Sequence, residues 1–291
     1  MDERNLCHLL ESLRVIPNLE ILSVHGKPPS HAHCCTAEVN TAVGFTHKTL
    51  KGLVLSGISL TPAVAAVLGR SLPEMSLKML WLTGADGSIF QGEEMEALFG
   101  GFNKTLPLEF LTFSGFSVIS CLAPLTKSFR YFPNLTKLEL TKLHMNEHDL
   151  RGLLESLRFI PNLEELSVTA EPLGHAHCCT AEVNAAAGFT HKTLKGLELS
   201  GISLTPAIAA TLGRSLPEMS SLKTLKLTGT GGSILQGEEM EALFGGFNKT
   251  LPLLNLTFSD FSVSGFLAPL TKSLRFFPNL SSLYLFKFKY G

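Results

Sequence analysis

Leu50-Lys-Gly-Leu53-Val-Leu55 is one instance of a Leu-x-x-Leu-x-Leu pattern that runs through the chain, with Val or Phe accepted at the last position. The pattern starts at Leu19, Leu50, Leu77, Leu108 and Leu135, and again at Leu163, Leu194, Leu222, Leu253 and Leu280. Successive starts lie 27 to 31 residues apart. In an extended strand alternate residues share a face, so the fourth and sixth positions point together into a core. The third, fifth and seventh positions point the other way.

Each strand pattern is followed by a longer stretch with helix signals. Thr61-Pro-Ala-Val-Ala-Ala-Val-Leu68 offers Thr61 as N-cap and Pro62 as first helical residue. Glu93-Glu-Met-Glu-Ala-Leu-Phe99 places acids in a first turn, where the helix dipole favours them. Helices are expected to stop near Ile16-Pro17-Asn18, Leu72-Pro73-Glu74 and Phe132-Pro133-Asn134. One strand and one helix cannot bury their apolar faces alone, whereas stacked neighbours share a core. The expectation is one domain over residues 1–291: an α/β solenoid (horseshoe) of about ten units, with parallel strands on a concave face and helices on a convex face. A flat parallel sheet with crossover helices is the alternative, and the regular spacing argues against it.

The chain is also a tandem duplication. Leu9-Leu-Glu-Ser-Leu-Arg14 returns as Leu153–Arg158, and Gly100-Gly-Phe-Asn-Lys-Thr105 returns as Gly245–Thr250. Residues 1–144 align with 145–291, the offset rising from 144 to 145 at an extra serine, Ser220 or Ser221. Of 144 aligned positions 108 are identical, which marks two copies of one ancestral segment rather than two unrelated domains.

Composition narrows the function. The chain has 291 residues, 45% apolar and 17% charged, with a net charge of −1. It is too apolar for disorder and too poor in charge for a coiled coil. No basic excess exists to neutralise a phosphate backbone or an anionic bilayer, so neither nucleic acid nor membrane is an expected partner. The longest apolar runs, around Pro62–Leu68 and Pro206–Leu212, are far shorter than a membrane span. Met-Asp-Glu-Arg leads into no signal-like region, and six cysteines do not make a disulfide scaffold. A soluble cytoplasmic protein is expected.

On its strand motif and on phrases such as Leu153-Leu-Glu-Ser-Leu-Arg-Phe-Ile-Pro-Asn-Leu-Glu-Glu-Leu166 and Leu216-Pro-Glu-Met-Ser-Ser-Leu-Lys-Thr-Leu-Lys-Leu227, the chain resembles leucine-rich repeat proteins of the ribonuclease-inhibitor-like class. More narrowly it resembles the repeat region of NOD-like receptors, cytosolic innate-immune sensors. The resemblance spans essentially the whole chain. It implies a non-enzymatic protein- or peptide-recognition module with a ligand-sensing or autoinhibitory role and no cofactor. A repeat adaptor or GTPase-regulating scaffold, and a non-functional fragment, are the alternatives. The sequence departs from the class in one respect: where the class often has Asn or Cys after the strand, it has Ile58, Ala85, Phe116 and Leu143. An apolar spine is expected there. The nucleotide-binding and effector modules of the receptors are not in this sequence.

Motifs with chemical potential are weak. Gly100–Thr105 has Asn103 rather than Gly before Lys104 and ends a helix pattern, unlike a phosphate-binding loop. His31-Ala-His33-Cys34-Cys35 and its copy His175–Cys179 carry metal-ligand residue types at a spacing unlike zinc sites. Cysteines tucked into a core as small apolar groups are the plainer reading. No catalytic constellation emerges, and the chain is read as no enzyme.

The outward strand positions carry more information. Between the copies, 9 of these 15 positions differ, against 27 of the remaining 129. Ile21 becomes Glu165, Val54 becomes Glu198, Met79 becomes Thr224, Trp81 becomes Lys226, Phe110 becomes Asn255 and Glu139 becomes Tyr284. Drift at exposed sites is one explanation. Against it, Glu93, Glu94, Glu96, Asn103 and Lys104, expected on exposed helix surface, recur unchanged. A diversified binding face is therefore expected, comprising Met79, Trp81, Phe110, Glu139, Glu165, Glu198, Lys226, Asn255 and Tyr284. Met79, Trp81 and Phe110 form its apolar half, and Glu198 and Lys226 are expected to pair.

Overall fold

The computed structural model describes residues 3–26, 45–58, 60–85, 89–90, 92–118, 122–171, 189–230, 234–264, 267–286 and 289–290. The fold is α/β. It divides into two compact units, Met1–Leu143 and His144–Gly291, at a boundary one residue before the junction of the duplicated copies.

In the first unit, five strands follow the five motifs: β1 (Ile21–His25), β2 (Gly52–Ile58), β3 (Met79–Gly84), β5 (Phe110–Ser114) and β7 (Lys137–His144). They lie side by side in that order, each parallel to the next. Four helices, α1 (Glu3–Ser12), α2 (Pro62–Ser71), α3 (Gly92–Phe99) and α4 (Ala123–Ser128), alternate with them. Two short strands, β4 (Ile89–Phe90) and β6 (Ser117–Val118), pair separately.

The second unit repeats this plan. β8 (Glu165–Glu171), β9 (Gly196–Ile202), β10 (Thr224–Gly229), β12 (Asn255–Ser259) and β14 (Ser282–Phe286) are parallel neighbours in that order. Helices α5 (Glu147–Ser156), α6 (Pro206–Ser215), α7 (Gly237–Phe244) and α8 (Leu267–Ser273) alternate with them. A side ladder joins β11 (Ile234–Gln236), β13 (Ser262–Ser264) and β15 (Lys289–Tyr290).

The period-two pattern sorts the residues of the inner strands as the motif predicts. On the end strands, by contrast, Leu283 is exposed and Leu22 and Leu285 are half-buried, since among the described residues no further strand and helix cover them. Leu53, Leu55, Leu82, Leu111, Phe113, Leu138 and Leu140 are all fully buried, and so are Leu199, Leu227, Leu256 and Phe258. The helices pack on this face: the ring of Phe99 in α3 meets Phe113 edge-on at 6.3 Å, and Phe244 in α7 meets Phe258 at 6.0 Å. The apolar spine is present, with Ile58, Ala85, Phe116 and Leu143 buried. Phe116 stacks on Phe113 at 4.6 Å.

Local signals hold where a single contact decides them. Thr61 caps α2 by accepting from the Val64 amide, and Thr205 caps α6 through Ile208. Glu93 and Glu94 occupy the first turn of α3. At Pro73 the α-helix stops where the sequence predicts, after Ser71. It is followed by a 3-10 turn, Leu72–Glu74, which contains the proline. Pro73 sits at the start of that turn, where a missing N–H costs nothing.

Candidate functional site

On the sheet face away from the helices, the outward residues of the first unit form three rows across the strands. Ile21, Gly52, Met79, Phe110 and Lys137 are in register. So are Ser23, Val54, Trp81, Thr112 and Glu139, and then His25, Ser56, Thr83, Ser114 and Thr141. Adjacent strands lie about 4.8 Å apart, so each row is a line of close neighbours. Gly52 matters to the first row. A Cβ there would stand 3.1 Å from Met79 Cε and 3.4 Å from Ile21 Cγ1, so its absence lets the two apolar side chains close over the backbone.

A cleft of about 460 Å³ opens on this face, lined by His25, Val54, Ser56, Met79, Trp81, Thr83, Thr112, Ser114 and Glu139. Its wall is apolar, from Val54, Met79 and Trp81. Its polar lining is hydroxyl-rich, from Ser56, Thr83, Thr112 and Ser114. Trp81 is 44% exposed, Phe110 43% and Ile21 59%. Large apolar groups left this open on a sheet whose other face is closed core are the informative kind of exposure. The indole N–H of Trp81 donates to Thr83 Oγ1 at 2.8 Å, which satisfies its polar edge and leaves the ring face open. Thr141 Oγ1 donates to Ser114 Oγ at 2.7 Å, and the His25 ring nitrogen Nε2 lies 2.9 Å from Ser23 Oγ.

The second unit presents the first two of these rows with other chemistry. Glu165, Gly196, Thr224, Asn255 and Ser282 are in register, and so are Ser167, Glu198, Lys226, Thr257 and Tyr284. Lys226 Nζ forms an ion pair with Glu198 Oε1 as the sequence predicts. Both side chains keep over a third of their exposure, so the pair contributes about 0–1 kcal/mol. Asn255 Nδ2 reaches Thr224 Oγ1 at 3.5 Å. Tyr284 is exposed, and so is Glu165.

The nine sequence-selected residues therefore lie on outward strand faces, and three of them, Met79, Trp81 and Glu139, line one cleft. Phe110 is beside Met79 in the first row but does not line it. His25, Val54, Ser56, Thr83, Thr112 and Ser114 complete the lining without having been selected. His25 and Val54 differ between the copies and could have been found by that signal. The four hydroxyl residues recur as Ser200, Thr228, Thr257 and Ser259, so a search for divergence passes over them.

The comparison with unchanged helix residues also acquires a physical reading. Lys104 is held by Glu74 at 2.5 Å and Lys249 by Glu218 at 2.6 Å, which gives Lys104 a reason to recur. Glu93, Glu96 and Asn103 are exposed and recur without an ion pair among the described residues. The contrast with the outward strand positions now rests on those three.

Gly100–Thr105 follows α3 rather than a strand. The His31, His33, Cys34, Cys35 cluster and its copy lie outside the described residues. Among the described residues, no group of three or more His, Cys, Asp or Glu is placed to hold a metal ion. No helix among them is long and apolar enough to cross a membrane. No protein-family model and no curated protein matches this chain.

Proposed function

We propose that the chain is a leucine-rich repeat solenoid that binds a protein or peptide on its strand-lined concave face, without catalysis. The observation that carries the reading is the cleft around Trp81. There Val54, Met79 and Trp81 leave apolar surface open beside hydroxyl groups, the mixture found at binding hot spots. In the copy, the same scaffold carries Glu198, Thr224 and Lys226 at those places. By its resemblance to NOD-like receptors, the setting is ligand sensing or autoinhibition in the cytoplasm.

The test is selection of displayed peptides against the intact chain, followed by titration of the selected peptides against Trp81→Ala. The expected loss is at least about 2 kcal/mol, or some thirtyfold, as for a central aromatic anchor. Selected peptides that bind the variant as tightly as the parent protein would remove the cleft from the reading.

A further inference from the structure

We infer that the Trp81 cleft takes an extended peptide segment carrying a basic side chain, arginine above lysine, next to an apolar one. This deepens the recognition reading and rests on it. The cleft has one carboxylate in its lining, Glu139. Among the described residues Glu139 makes no hydrogen bond or ion pair, whereas carboxylates at the strand starts are engaged: Glu20 by Lys51, Glu109 by Lys78 and Glu164 by Lys195, each at 2.7 Å. Lys137, the outward residue before Glu139 on β7, is itself engaged. Glu139 is thus an uncommitted negative charge at the edge of an aromatic wall.

The spacing suits arginine. Trp81, Thr112 and Glu139 stand in register on three successive strands, so the backbones of Trp81 and Glu139 are about 9–10 Å apart and both side chains rise on the same face. An arginine stem packs its methylenes along apolar surface while its planar head meets a carboxylate in two parallel hydrogen bonds. The stem lies across Thr112, the head on Glu139, and a neighbouring apolar side chain fills the space between Val54, Met79 and Trp81. Ser56, Thr83 and Ser114, at intervals of about 4.8 Å, offer hydroxyls to the peptide backbone. The second unit has Lys226 in place of Trp81 and Tyr284 in place of Glu139, so the same peptide finds no counterpart there.

The experiment uses the intact chain and the fluorescence of Trp81, its one tryptophan. Three blocked peptides are titrated, each with leucine followed two positions later by arginine, glutamine or glutamate in a glycine–serine background. The arginine peptide is expected to shift the emission and to bind about tenfold tighter than the glutamine peptide, with glutamate weakest. Glu139→Gln is expected to erase the arginine preference and leave the glutamine peptide unchanged, while Glu93→Gln, at an exposed position of α3, changes neither. Equal binding of all three, or a preference for glutamate, overturns the inference and leaves recognition at the cleft standing. Silence from all three while display-selected peptides still report at Trp81 also overturns the inference alone. Silence from both overturns the recognition reading with it.

Discussion

The indole Nε1 of Trp81 donates to Thr83 Oγ1 across 2.8 Å, two residues along the same strand and on the same face. The contact satisfies the polar edge of the ring on the outward face and restrains a half-exposed side chain. Thr83→Val removes the acceptor with little change of shape. Fluorescence anisotropy at Trp81 is expected to fall, and affinity for cleft ligands to drop about three- to tenfold, since a single neutral hydrogen bond is worth about 0.5–1.5 kcal/mol. Unfolding in urea is expected to shift little, because the freed N–H can reach water.

Helix packing in both units depends on a glycine. A Cβ on Gly69 would stand 2.0 Å from the Ala97 carbonyl oxygen, and one on Gly213 would stand 2.1 Å from that of Ala242. Either helix must move to admit a methyl group. Gly69→Ala and Gly213→Ala are each expected to lose about 1–3 kcal/mol in urea unfolding. Gly101, with open space around the Cβ position, is the control. Gly101→Ala is expected to be neutral or slightly stabilising.

His191 is a source of acid sensitivity. Burial lowers its pKa from the ordinary 6.5, partly offset by its hydrogen bond to the Ile160 carbonyl at 2.9 Å. The folded chain therefore binds fewer protons at this site than the unfolded chain. The stability contributed is complete above about pH 6.5 and declines as pH falls from there toward the folded-state value. Denaturant midpoints measured between pH 5 and 8 are expected to drop on the acid side. His191→Gln is expected to be less stable at neutral pH and to show a shallower acid slope.

The Glu198–Lys226 pair is expected to add little. A double-mutant cycle with Glu198→Gln and Lys226→Met should give a coupling below about 1 kcal/mol that shrinks in high salt. A coupling well above that would mean the pair is shielded from solvent more than its exposure implies.

Much of the fold was legible because two signals agree. Leu53 and Leu55, or Leu225 and Leu227, mark the buried face of a strand by alternation, and the duplication marks the same register twice. Thr61 with Pro62 marked a helix start that one hydrogen bond confirms. Pro73 marked the end of α2 but not the 3-10 turn Leu72–Glu74 that follows, because a proline is accepted inside such a turn. The cleft was only half legible. Met79, Trp81 and Glu139 stood out by divergence, but a cleft also needs low places. Thr112 and Ser56 make those by being short beside Trp81, a relation that depends on neighbouring strands 27 to 31 residues apart in sequence.

The spine formed by Ile58, Ala85, Phe116 and Leu143 has a consequence for how this protein changes. Asn or Cys in that position would tie each turn to the next through directional bonds, which punish small errors of angle. An apolar column is indifferent to direction and asks only to be kept dry. Successive turns can then adjust to one another without breaking any specific partner. The second unit keeps Ile202 and Phe261 buried in the corresponding places and admits Thr230 where the first has Ala85, and Val54, Met79 and Trp81 should be transplantable onto the places of Glu198, Thr224 and Lys226.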